Sequence, residues 1–99
     1  MDRDRALMIL SDHMAELRDK HGVKSVAIFG STARNEARDD SDVDILVEFE
    51  PGASIGLFEF VRVQFFLEDA LDRKVDLVTR GGLVPQLKER ILEEAVFAP

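Results

Sequence analysis

The 99-residue chain has no cysteine, which excludes disulfides, thiolate metal sites and cysteine nucleophiles. No apolar run approaches the ~20 residues of a membrane helix. The opening M-D-R-D-R lacks the apolar core of a signal peptide, so the expectation is a cytoplasmic protein without membrane attachment. Basic residues are in deficit, 13 Lys and Arg against 20 Asp and Glu, for a formal net charge of −7. A protein that grips a long nucleic acid needs the opposite balance, because contacts to many phosphates supply most of the sequence-independent affinity. Direct binding of long nucleic acid is therefore not expected. The glycine-lysine pair of a P-loop is missing. A calcium loop fails as well. With Asp40, Asp42 and Asp44 as its first acids, Ile45 stands where that loop needs glycine and Pro51 where it needs glutamate. Repeats, linkers and low-complexity tracts are absent.

What is present describes one globular domain over residues 1–99. Hydrophobic residues make up 45% and charged residues 33%, an ordinary balance for a folded protein, and the length leaves no room for a second core. Residues 3 to 21 read as a helix, with Leu7, Leu10, Met14 and Leu17 on one face and Gly22 ending it. His13 and His21 fall in this helix and are assigned no chemistry. Lys24 to Phe29 reads as a buried strand, and residues 31 to about 37 as a short helix. Val43 to Phe49 reads as a second strand, with Val43, Ile45, Val47 and Phe49 on one side and Asp42, Asp44 and Leu46 on the other. Leu57 to Leu71 reads as a helix holding four of the seven phenylalanines. Its apolar residues wrap most of the circumference, so either the domain covers it on two sides or it forms an interface, and the interface is the favoured expectation. A homodimer and a hetero-oligomer through this helix are both compatible with that. Lys74 to Thr79 reads as a third strand interrupted by Asp76, which needs a partner if buried. Gly81-Gly82 reads as a hinge-like loop. A last helix over residues 83 to 95 turns Leu87, Ile91 and Ala95 to the sheet, with Pro85 in its first turn, and Val96-Phe97 reads as a short extended piece.

The chemistry concentrates between Gly30 and Asp44, G-S-T-A-R-N-E-A-R-D-D-S-D-V-D. The first strand stops at Gly30-Ser31, leaving backbone N–H groups at a helix start, where a phosphate is suited. Ser31 is positioned to cap that helix or to meet a phosphate oxygen. Arg34 and Arg38 are four apart and on one side of the turn; they suit triphosphate oxygens or, alternatively, pair with Glu36, Asp39 or Asp40. Asp42 and Asp44 project to one face of a strand, where two carboxylates repel each other and a divalent cation relieves them. A solvated strand edge is the plainer alternative for these acids. A phosphate cradle followed by metal ligands is the pattern of a nucleotide-transferring site.

Gly30-Ser31, ten intervening residues, Asp42-Val43-Asp44 and the later K-V-D-L-V-T around Asp76 resemble the signature of the polymerase-beta-like nucleotidyltransferases, and most closely their minimal nucleotidyltransferase (MNT) domains. The resemblance runs from Lys24 to the C-terminal E-E-A-V-F. It implies an α/β (α+β) minimal nucleotidyltransferase fold, a small mixed β-sheet flanked by helices. It implies that Asp42, Asp44 and Asp76 hold two Mg²⁺ ions, with Asp76 nearer the acceptor hydroxyl. Gly30, Ser31 and Arg34 would then bind the phosphates of ATP. MNT domains typically stand beside HEPN-domain ribonuclease toxins, so the resemblance further implies an antitoxin that transfers AMP from ATP to a tyrosine of a HEPN partner. A binding-only antitoxin and a small-molecule nucleotidyltransferase of the aminoglycoside-modifying kind are the alternatives. Two positions depart from the family pattern. Thr32 stands where arginine is frequent, bearing on how the triphosphate is held, and Asp72 where glycine often precedes R-K-V-D, bearing on a helix end.

Overall fold

A computed structural model describes residues 1–53 and 55–99. The elements run α1 (Arg3–His21), β1 (Val23–Phe29), α2 (Gly30–Ala33), β2 (Val43–Phe49), α3 (Leu57–Leu71), β3 (Val75–Thr79), a 3₁₀ turn (Arg80–Gly82), α4 (Pro85–Glu94) and β4 (Val96–Phe97). The strands form one mixed sheet in the order β3-β2-β1-β4. β1 is antiparallel to β2 and to β4, while β2 and β3 are parallel. Parallel neighbours need a crossover, and α3 supplies it.

The period-two pattern of β2 sorts the two faces of the sheet. Val43, Ile45 and Val47 are buried with Val26, Ile28 and Leu77 against Leu10, Met14 and Leu17 of α1 and Val63, Leu67 and Leu71 of α3. Phe49 packs on the margin of the same core. The opposite face carries Ala27, Phe29 and Leu46, covered by Leu83, Ile91, Leu92 and Ala95 at and around α4. Asp44, two residues before Leu46, lies on this second face, as the alternation requires.

Several elements differ from the sequence reading. In α1 the fully covered stripe is Ala6, Leu10, Met14 and Leu17, while Leu7 is only partly buried. α2 stops at Ala33 rather than near 37, because Asn35 takes a left-handed φ of 61°. Its side chain accepts a hydrogen bond from the Arg3 N–H, tying α2 to the start of α1. Arg38 therefore shares no helical turn with Arg34; its N–H donates to Ser41 Oγ in the loop. In α4 the inward residues are Ile91, Leu92 and Ala95, with Lys88 half-buried, and Leu87 stays 51% exposed. Ile91 and Ala95 thus face the sheet as the sequence indicates, and only Leu87 departs from the reading. Gly81-Gly82 lies in a 3₁₀ turn held by Thr79 Oγ1, which accepts from the Gly82 N–H, rather than in an open hinge. Asp72 ends α3 at φ 53°, so its departure from the family pattern is confined to that helix end.

α3 is covered on one side. Val63, Leu67 and Leu71 are buried and Phe60 and Phe66 partly so, whereas Leu57, Phe58 and Phe65 are 75%, 84% and 64% exposed. His21 Nδ1 lies 2.7 Å from Glu59 Oε1, and His13 meets the Phe66 ring edge-on while His21 packs against it at a tilt, so the histidines fasten α1 to α3. No helix among the described residues is long and apolar enough to cross a membrane.

Candidate active site

β1 ends at Phe29, and Gly30 turns the chain into α2 at φ 68°. Across the sheet Phe29 pairs with Asp44, and Asp44 pairs in register with Asp76. The glycine corner and two of the three predicted acids therefore lie side by side on adjacent strands. Asp42 sits just before β2, exposed, on the same side as Asp44 by the alternation of the strand. The corner is tight. A Cβ added at Gly30 would collide with the Asp44 carboxylate, so the absence of a side chain at 30 is what lets Asp44 lie there.

The electrostatics match this crowding. The Asp44 carboxyl is raised above the ordinary carboxylate range, first by burial, then by the charges of Asp76 and Asp42; Arg34 partly offsets this, and Glu94 adds to it. Like charges opposed across strands are destabilising unless something neutralises them. Asp76 is exposed on β3, an edge strand, so it is the charge facing it, not burial, that calls for a partner. Among the described residues none of the three acids forms a salt bridge, and their side chains do not close into a three-ligand group. The donor set nonetheless suits Mg²⁺, a hard ion that takes one or two carboxylates and fills its remaining positions with substrate phosphate and water.

The phosphate side of the corner differs from the sequence reading. α2 has no side-chain cap, so Ser31 does not cap it and its half-buried hydroxyl carries no cap bond. Arg34 takes both expected kinds of position at once. It lies beside the corner, and it is paired, its Nε 3.4 Å from Glu36 and its Nη1 3.0 Å from Glu94. Those hydrogen bonds, Glu36 foremost, push its pKa further up. Thr32 is buried, with an Oγ1 that finds no partner among the described residues.

Glu94 is the residue that sequence reasoning missed. Its Oε1 accepts a hydrogen bond of 2.9 Å from the Gly30 N–H, while Oε2 accepts from Arg34. The signal was antiparallel register. Val96 pairs with Ile28, so two residues earlier on β4's side meets two residues later on β1's, and position 94 meets position 30. Strand order, which fixes that pairing, was not readable from the chain. A concavity of about 720 Å³ lies elsewhere, lined by Val47, Phe49, Ile55, Phe60, Arg80 and Lys88 among others. It opens toward the other ends of β2 and β3 and includes none of the predicted site residues.

Residues 10–98 match the family model of the nucleotidyltransferase domain. Protein adenylyltransferase MntA of Thermococcus cleftensis is 43% identical over 89 residues, covering 90% of this chain and 88% of that protein. A Methanocaldococcus jannaschii relative, provisionally named a protein adenylyltransferase, is 53% identical over 77 residues, covering 78% and 81% of the two chains. A solved structure provisionally assigned as a minimal nucleotidyltransferase superposes with a TM-score of 0.78 at 42% identity, covering 97% of this chain and 95% of that one. Fold likeness extends to a toxin-antitoxin crystal structure with AMP-PNP, with a TM-score of 0.71 at 20% identity over 90% and 72% of the two chains. It extends also to the Shewanella oneidensis complex of a tri-AMPylated HEPN toxin with its MNT antitoxin, with a TM-score of 0.64 at 18% identity over 94% and 71%. The mixed sheet is thus that of a known group, and the chain belongs to the nucleotidyltransferase domain family, among its minimal nucleotidyltransferases.

Proposed function

We propose that the chain is a cytoplasmic, Mg²⁺-dependent protein adenylyltransferase and an antitoxin, transferring AMP from ATP to a tyrosine of a HEPN-domain ribonuclease toxin and so neutralising it. The observation that carries the reading is the corner itself, with Gly30 packed against Asp44 and Asp44 opposite Asp76. The name of the Thermococcus relative supports adenylyl transfer to a protein, and the composition of the HEPN–MNT complex supports the partner class.

In this reading Asp42 and Asp44 bind Mg²⁺, and Asp76 joins them on the acceptor side. Bound there, Mg²⁺ neutralises charge on the phosphate oxygens and favours the ionised acceptor hydroxyl. The Gly30 N–H, the Ser31 hydroxyl and the Arg34 guanidinium hold the β- and γ-phosphates and fix the α-phosphorus in line with the acceptor. Asp76 orients the tyrosine hydroxyl and receives its proton or passes it to water. The tyrosine oxygen then forms its bond to the α-phosphorus while the bond from that phosphorus to the bridging oxygen breaks, and pyrophosphate leaves. Leu57, Phe58 and Phe65, exposed on α3, offer the apolar surface on which the partner docks.

The test is incubation with Mg²⁺, the partner toxin and ATP labelled in either the α- or the γ-phosphate. The expected result is α-label, and no γ-label, on the partner's tyrosine. α-Label on a small amine or alcohol instead would move the chain to the small-molecule class. A stable complex without label would make it a binding-only antitoxin.

A further inference from the structure

We propose that Glu94 is a built-in latch on the nucleotide corner, one that an incoming triphosphate must displace. The inference rests on the nucleotide reading above and concerns the state of the corner before ATP arrives. One carboxylate spans two donors, the Gly30 N–H at 2.9 Å and the Arg34 guanidinium at 3.0 Å. A backbone N–H combined with a guanidinium is a donor pair that a phosphoryl group also takes, and here both are already engaged by an internal anion. Glu94 also adds a third negative group around Asp44, beside Asp42 and Asp76, so while it stays in place it opposes the entry of another anion.

The contact is built to open. No residue of α4 is fully buried; the helix rests on the sheet through the partly covered Ile91 and Leu92. The Glu94 side chain keeps 27% of its surface in solvent, so rotation of the side chain can release both donors without unpairing β4 from β1. The same geometry admits an opposite role, in which Glu94 is a positioning residue that aligns Arg34 for the nucleotide. The two roles predict opposite signs. A latch lowers apparent affinity by the fraction of time it is closed, whereas an aligning residue raises it.

The experiment is calorimetric titration of Mg²⁺-ATP into the wild type and into Glu94→Ala, Glu94→Asp and Glu93→Ala. Glu93 is exposed and serves as the control for charge alone. The latch predicts a dissociation constant about three- to tenfold lower for Glu94→Ala, the range expected when a half-exposed charged contact of this kind is removed from the competition. Glu94→Asp, which keeps the charge but shortens the reach, is expected to tighten binding to a lesser degree, and Glu93→Ala to leave it unchanged. In the free protein, Glu94→Ala is expected to shift the Gly30 amide resonance. Unchanged or weaker ATP binding in Glu94→Ala overturns the latch, as does equal tightening in Glu93→Ala. If the folded wild type and Glu94→Ala both fail to take up ATP, the nucleotide reading itself falls and the latch with it, a result distinct from a wild type that binds ATP beside a variant that binds no better.

Discussion

Gly30→Ala isolates the packing on which the site depends. Two costs combine at this position. A side chain at φ 68° is strained by about 1–2 kcal/mol, the ordinary penalty of the left-handed region. The added Cβ also meets the Asp44 carboxylate, and forcing extra volume into a filled site costs typically about 1–3 kcal/mol. The expected destabilisation is therefore about 2–5 kcal/mol, a large share of the ~5–15 kcal/mol that holds a domain of this size. The midpoint of thermal unfolding should fall by roughly 8–40 °C. Gly52→Ala is the matched control, because Gly52 has a φ of 85° and open space around its Cα; it should cost only about 1–2 kcal/mol. Repeating Gly30→Ala in an Asp44→Ala background removes the clash, since the Cβ that stays at position 44 is 3.4 Å away, an ordinary contact. Urea unfolding of the four proteins in that double-mutant cycle, followed by circular dichroism, measures the coupling directly. Gly30→Ala should then cost no more than Gly52→Ala. If Gly30→Ala is as mild as Gly52→Ala in the wild-type background, or equally costly with and without the Asp44 carboxylate, the close packing of glycine on aspartate is wrong.

Two further outcomes follow from the charge pattern and the exposed helix. Because the folded-state pKa of Asp44 lies above its ordinary value, through burial first and then through Asp76 and Asp42, the folded protein binds more protons at this group than the unfolded chain does between the two pKa values, and the group's contribution to stability falls as pH rises through that window. Asp44→Asn should accordingly be more stable than the wild type at neutral pH by about 0.5–1 kcal/mol, on the scale of cross-strand charge pairs. That advantage should vanish below the ordinary carboxylate range, and equal stability across the whole range would refute the assigned cause. Phe58→Glu combined with Phe65→Glu, both at exposed positions of α3, should change unfolding free energy by less than about 0.5 kcal/mol each while abolishing co-purification with the partner toxin; retained binding would remove α3 from the interface.

Most of the fold was legible because it is written in periodicities. The alternation of Val43, Ile45 and Val47 with Asp44 and Leu46 fixed which side of β2 faces the core and which faces the site, and the Leu10-Met14-Leu17 spacing fixed the inner side of α1. Boundaries were less legible where one residue's backbone decides them, as Asn35 does for α2. In α4 Ile91 and Ala95 were legible as inward residues and Leu87 was not, because Leu87 and Lys88 compete for the inward position in the first turn and hydrophobicity alone favours the wrong one. The acids and the glycine were legible as types, since Gly-Ser and Asp-x-Asp stand close together in the chain. Their approach to Asp76 depended on β2 and β3 being parallel neighbours. Glu94 was invisible for the same reason in stronger form, being 64 residues from Gly30 and brought to it only by the pairing of β4 with β1.

The central claim is that the acids beside the Gly30 corner carry adenylyl transfer. Intact mass spectrometry of the partner toxin, after incubation with ATP, Mg²⁺ and either the wild type or the Asp42→Asn, Asp44→Asn double variant, tests it most directly. The wild type should add one or more adenylyl groups, and the double variant, folded by circular dichroism and still bound to the partner, should add none. Equal modification by the two proteins would contradict the account.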